Sequence, residues 1–348
     1  MNELPGKNKI NPQNVTTFRK PKPLLTLFVI FIIVTVVIIY FSNRSPHSLK
    51  VHDSLKKEAV IYWMPADINN IRDAKQKELV DYGRELIAHT SKYVGPKGSV
   101  LQITNGLNCQ NCHLQAGTAV YANNYGSVAS QYPKFRARSG TIENIYKRVN
   151  DCFERSLNGK AIDTTSKEMQ AIVAYIYFIG SNVEKGKKAA GSGFKELAYL
   201  DRAADTLKGR SVFSSKCQRC HQANGEGLLD SAGNEFIYPA LWGNHSYNDA
   251  AGLYRIGNFA KYVKYNMPQG ATHLAPQLTD EEAWDVAAFI NSQTRPHKNE
   301  PGDWPDITKK PVDYPFGPYA DHFSEQQHKY GPYQIMEGAK SKKETAVK

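Results

Sequence analysis

The chain has 348 residues and a formal net charge of +11. That is length enough for two domains, and the basic balance suits an anionic substrate or partner while saying nothing about fold. Of its five cysteines, four fall in two close pairs, which excludes a disulfide for Cys152 within the chain.

Leu24 to Phe41 is an uncharged run of 18 residues, about 27 Å long as a helix at ~1.5 Å per residue. Lys7, Lys9, Arg19, Lys20 and Lys22 precede it. The asymmetry predicts a single-pass anchor over 24–42, with residues 1–23 in the cytoplasm and everything after Ser42 on the periplasmic side. A cleaved signal peptide is the rival reading; the run exceeds a usual signal core and no small-x-small site follows in Ser42 to Ser45. A linker is expected over 43–56.

Leu79, Val80, Gly83, Leu86 and Ile87 then mark an amphipathic helix. After it comes Cys109-Gln-Asn-Cys112-His113, repeated later as Cys217-Gln-Arg-Cys220-His221. Two thiols about one helical turn apart can both form thioethers to porphyrin vinyl groups, and the adjacent His reaches the iron. Zinc sites and redox dithiols also use paired cysteines, but two copies each followed by His predict two covalently bound haem c groups.

A second correspondence supports duplication. Thr165 to Glu168 and Thr279 to Glu282 both read as capping boxes. Behind them, Met169, Ile172, Val173 and Ile176 match Ala283, Val286, Ala287 and Ile290 at a constant offset of 114, as do Tyr175 and Phe289. Leu207, Gly209, Val212 and Phe213 supply the opening helix of the second copy. A glycine-bearing helix, a pentad, a long loop and a closing helix make the cytochrome c pattern, the glycine letting first and last helices cross closely. The fold class expected is all-α: tandem cytochrome c domains over 57–183 and 206–295, joined by a linker over 184–205 and followed by an irregular extension over 296–348. Within that extension, residues 340–348 read as a disordered charged end.

Each iron needs a sixth ligand. Met267, 12 residues before the closing helix, suits the second haem; packing of a core gap is the alternative, and His245 and His273 are rivals in principle. The first domain has no comparable Met, since Met169 belongs to its closing helix. Cys152 stands within one residue of the place matching Met267. A thiolate there stabilises ferric iron and lowers the potential, whereas a buried inert Cys, Lys147 or Lys160 is a weaker reading. The metal ligands expected are thus His113 and Cys152, and His221 and Met267. Lys134, Arg136, Arg138, Lys147, Arg148 and Arg155 flank Cys152, opposed in part by Glu143, Asp151 and Glu154. Arginine forks suit oxyanions, a solvated loop face or haem propionates being the bland alternatives.

These stretches, with Tyr132-Pro133-Lys-Phe-Arg136-Ala-Arg138-Ser139-Gly140 and Arg148-Val-Asn-Asp-Cys152-Phe153-Glu-Arg155-Ser156, resemble the dihaem thiosulfate dehydrogenase / tetrathionate reductase family. The resemblance runs from about Trp63 to the Gly331-Pro332 tail. It implies interconversion of two thiosulfates and tetrathionate with transfer of two electrons at the first haem. Cys152 would be the catalytic residue, leaving iron to carry the sulfane sulfur, with Arg138, Arg148 and Arg155 neutralising the dianions. Another cytochrome or a membrane-bound redox protein would be the electron partner. Asn266 stands where some relatives place a Lys, which predicts a fixed Met267. A tethered electron carrier, or a subunit loading sulfur onto a partner protein, are the alternative functions.

Overall fold

The computed structural model describes residues 31–39 and 60–346. Residues 31–39 are helical and belong to a unit of their own. The remainder of the expected anchor, and the linker over 43–56, lie outside the described residues. Among the described residues no helix is long and apolar enough to cross a membrane, so the spanning helix read from the sequence gains no support.

From residue 60 onward the chain forms one compact unit with two helical lobes. The first is built on α1 (Ala74–Ala88), α2 (Ile145–Asp151) and α3 (Lys167–Ile179). The second uses α4 (Thr206–Val212), α5 (Ile256–Asn266) and α6 (Asp280–Ser292). In each, the first and last helices cross where the first has no side chain. A Cβ on Gly83 would lie 2.0 Å from the Ala171 carbonyl oxygen and 2.8 Å from Tyr175 Cβ; one on Gly209 would lie 1.9 Å from the Asp285 oxygen and 2.8 Å from Phe289 Cβ. Ala171 with Asp285, and Tyr175 with Phe289, keep the sequence offset of the duplicated pattern, so the repeat is geometric as well as compositional.

Local chemistry shifts some boundaries. The capping box at Thr279 forms, its hydroxyl taking the Glu282 N–H at 3.1 Å and Glu282 Oε2 the Thr279 N–H at 2.8 Å. The one expected at Thr165 does not. Asp163 captures both the N–H and hydroxyl of Thr165 at 2.9 Å, so Ser166 caps α3 instead. Glu168 is drawn away to accept from the Tyr82 hydroxyl. Leu207 is exposed rather than packed, because α4 is short and turns only Gly209 and Val212 inward.

Two antiparallel hairpins interrupt the helical plan. β1 (Lys134–Arg136) pairs with β2 (Thr141–Glu143), and β3 (Leu228–Leu229) with β4 (Phe236–Tyr238). The first turns through Gly140 at φ +67°, a left-handed position that favours glycine. Nor is the stretch 184–205 a free linker. Its Gly191 and Gly193 carbonyls accept from the Tyr121 and Asn123 N–H groups, and Leu197 and Ala204 are buried in the second core.

The two cores trade side chains: Phe236 and Ala240 of the second lobe sit in the core of the first. The extension runs back over both lobes and ends in α7 (Glu325–Tyr330) and α8 (Tyr333–Ala346). α8 continues through most of the charged stretch expected to be disordered, held by Tyr333 and Met336, both buried against the second core.

Candidate active site

The sequence builds the first site on α2. Asn144 caps it by accepting the Lys147 N–H at 2.9 Å, and Lys147 pairs with Asp151 one turn on. Arg148 and Cys152 therefore share a helix face at i and i+4, and Arg148 Nη1 donates to Cys152 Sγ at 3.1 Å. The sulfur beside it holds the guanidinium above its ordinary value. Immediately after Cys152 the helix widens, with the Leu157 N–H reaching the Cys152 carbonyl at 2.9 Å, an i→i+5 bond of the kind that recurs at functional sites.

Cys152 opens onto a cavity of about 260 Å³ that it shares with Cys109, Cys112 and His113. The walls are apolar, including Ile87, Leu107, Phe153, Leu157, Ile172 and Ile176. His113 Nδ1 donates to the Asn123 carbonyl at 2.5 Å, which fixes the ring and leaves Nε2 for a metal. Desolvation pushes the imidazole down to about 4, so it is neutral, as ligation requires. Paired thiols, a neutral imidazole and apolar walls fit a covalent haem, with His113 and Cys152 as the residues that would hold its iron. Tyr132, Lys134, Arg136, Arg148 and Lys188 give the same cavity its polar rim.

The second site repeats the plan. Cys217, His221 and Met267 line one cavity, and His221 Nδ1 donates to the Pro239 carbonyl at 2.8 Å. Met267 follows α5 directly, as Cys152 follows α2. Asn266 donates its side-chain amide to the Tyr262 carbonyl at 3.0 Å. The cavity continues into a surface cleft that includes Cys220, Met267 and His273. His245 faces the Asn105 carbonyl instead. Leu107 and Cys112 line both haem cavities, so the two cofactor sites share part of a wall.

Of the three arginines singled out in the sequence, only Arg148 reaches the first cavity. Arg155 is buried and makes a two-pronged ion pair with Asp303, both contacts at 2.8 Å, with Glu300 at 3.1 Å. Arg138 donates to the Ala250 carbonyl at 3.1 Å, lies 3.8 Å from Asp303 and faces the Trp304 ring. Burial pushes it down to about 10, against the opposing pull of Asp303. Both cations are committed to the extension rather than to a ligand. Lys188 was invisible because its position beside the cavity depends on how the 184–205 stretch folds back; its only sequence signal is a basic pair among small residues.

A family profile described as SoxA/TsdA, cytochrome c domain, matches residues 101–184, and one described as Cytochrome c matches 206–294. A thiosulfate dehydrogenase from Psychrobacter arcticus is 37% identical over 69% of this chain and 70% of its own length. One from Allochromatium vinosum is 37% identical over 57% of this chain and 73% of its own. The solved "as isolated" thiosulfate dehydrogenase (TsdBA) from Marichromatium purpuratum superposes with a TM-score of 0.64 at 27% identity, covering 75% of this chain. This chain spans about 55% of that longer one. The chain is thus a mostly helical protein with two cytochrome c domains and two covalently bound haem c groups, and it belongs to the thiosulfate dehydrogenase family.

Proposed function

We propose that the protein joins two thiosulfates into tetrathionate at its first haem, passing two electrons outward through the second. The observation that carries this reading is the pairing of Cys152 with Arg148 inside a haem cavity rimmed by Lys134, Arg136 and Lys188. A carrier with no substrate of its own has no use for a thiol and a cationic rim at that place.

The residues divide the work. Lys134, Arg136 and Lys188 draw in the dianions, and Arg148 offsets the charge that gathers around Cys152. The Cys152 thiolate and the sulfane sulfur of one thiosulfate form an S–S bond with loss of two electrons. The sulfane sulfur of a second thiosulfate then attacks the outer sulfur, breaking that bond, releasing tetrathionate and restoring the thiolate. No proton is gained or lost overall. The haems, when bound, supply the electron sink, one electron each.

The cleft at Met267 suits electron exchange with another cytochrome or a membrane-bound redox protein. We place the haem domains outside the cytoplasmic membrane, tethered by the apolar run at residues 24–42. Fractionation of the full chain with membranes, lost when residues 1–56 are deleted, is the expected outcome; a soluble full chain rejects the tether.

The activity test is thiosulfate-dependent reduction of an artificial acceptor, with tetrathionate quantified, by the wild type and by Cys152→Gly. Stoichiometric tetrathionate from the wild type alone is expected. No turnover by a wild type whose haems both reduce with dithionite would leave the carrier reading standing.

A further inference from the structure

The widened turn after Cys152 is gripped from outside its own domain. Asn248, in the second domain and wholly buried, donates its backbone N–H to the Arg155 carbonyl at 3.1 Å. Its side-chain amide donates to the Glu154 carbonyl at 2.9 Å and to Asn158 Oδ1 at 3.0 Å. Alongside it the extension adds charge. Asp303 takes both prongs of Arg155, and the Trp304 N–H donates to the Arg138 carbonyl at 2.6 Å. The neighbouring Asp249 fixes the start of this strap, accepting the Lys298 N–H at 2.9 Å.

None of Asn248, Asp303 and Arg155 lines the first cavity. Asn248 and Asp303 instead hold backbone or side chain within six residues of Cys152. A helix turn with i→i+5 bonding is rare and occurs mostly as a single turn; here two carbonyls inside it, those of Glu154 and Arg155, are taken by Asn248. Arg138, Arg155 and Lys298 face Asp303, Glu300 and Glu154 there, so loss of Asp303 leaves an excess cation close to the site, with buried Arg155 keeping only Glu300.

We propose that Asp303 and Asn248 are positioning residues: a clamp, made by the second domain and the extension, that sets the reach of Cys152 toward the first iron. The clamp acts on the sulfur that both ligates and reacts, so it governs how readily Cys152 exchanges between those roles. The inference rests on Cys152 being the first haem's ligand.

The test uses the dihaem holoprotein with Asp303→Asn, Asp303→Glu and Asn248→Ala. Electron paramagnetic resonance and near-infrared magnetic circular dichroism report the ferric first haem; the His/Met signature of the second haem is the folding control. In Asp303→Asn the thiolate signature should split into two populations while the second haem keeps its spectrum. kcat should fall about tenfold with KM for thiosulfate within about twofold. Asp303→Glu, which keeps the charge, should restore most of both. Asn248→Ala should give the same spectral split without changing local charge, which separates geometry from electrostatics. An unaltered first-haem spectrum and kcat in both Asp303→Asn and Asn248→Ala overturns the clamp. If the wild type itself lacks a thiolate signature, it is the ligand assignment that fails.

Discussion

Gly83→Ala is a sharp test of the helix crossing that holds the first haem domain. The new Cβ would meet the Ala171 carbonyl oxygen at 2.0 Å, and a normal contact requires α1 and α3 to part by about 1.2 Å. Val80, Leu86, Ile87, Met169, Ile172 and Ile176 are among the buried side chains on those two helices, each contributing about 2 kcal/mol by burial. Opening a gap of that size forfeits roughly a quarter of their packing, about 3 kcal/mol, against a helix-propensity gain of about 1 kcal/mol. The net loss of about 2 kcal/mol should lower the apparent midpoint of thermal unfolding by about 5 °C. Gly338→Ala is the matched control: the glycine lies in α8, and an added Cβ meets nothing within 4 Å. It should raise the midpoint slightly. Far-ultraviolet circular dichroism of the oxidised holoprotein reads both. A Gly83→Ala protein melting at or above the wild type would refute the crossing argument.

Arg148→Leu should cut kcat/KM for thiosulfate by roughly 10- to 100-fold, the worth of one charge-assisted hydrogen bond; steady-state assays finding full activity would remove it from the chemistry. Lys188→Ala should raise KM about threefold with kcat intact, and the difference should shrink at high salt, since an exposed rim charge is screened. Asp205 accepts the Lys208 and Leu207 N–H groups at the start of α4, which hold its carboxyl below the ordinary value. A carboxyl lowered on folding contributes stability above its unfolded pKa and loses it as pH falls through the folded one. The stability advantage of wild type over Asp205→Asn should therefore be full at pH 7 and fade below about pH 4. Denaturant melts showing the same gap at both ends of that range would contradict it.

What the sequence disclosed was whatever depends on spacing along the chain. The pentads and the second capping box are set by residues within a few turns of each other, and the Gly83 and Gly209 crossings by the constant offset between the two copies. Cys152 was legible because duplication places it where Met267 recurs. The fate of Arg138 and Arg155 was not legible, because their partners Asp303 and Glu300 lie 145 to 165 residues away in a segment without periodicity. Lys188 was hidden because its place beside the cavity depends on how the stretch 184–205 folds back. The cap of α3 slipped because Asp163 outcompeted the helix for Thr165, a contest between two local hydrogen-bond schemes that composition does not decide.

The exchange of Phe236 and Ala240 into the neighbouring core bears on how such a chain can diversify. Two copies of a haem-binding unit would ordinarily be free to be shuffled, trimmed or fused elsewhere. Here the descendant copy has become part of the hydrophobic interior of its sibling, so excising it leaves a hole as well as a lost cofactor. The pair is inherited as a single object, and new partners are more readily gained at its ends than by swapping either half.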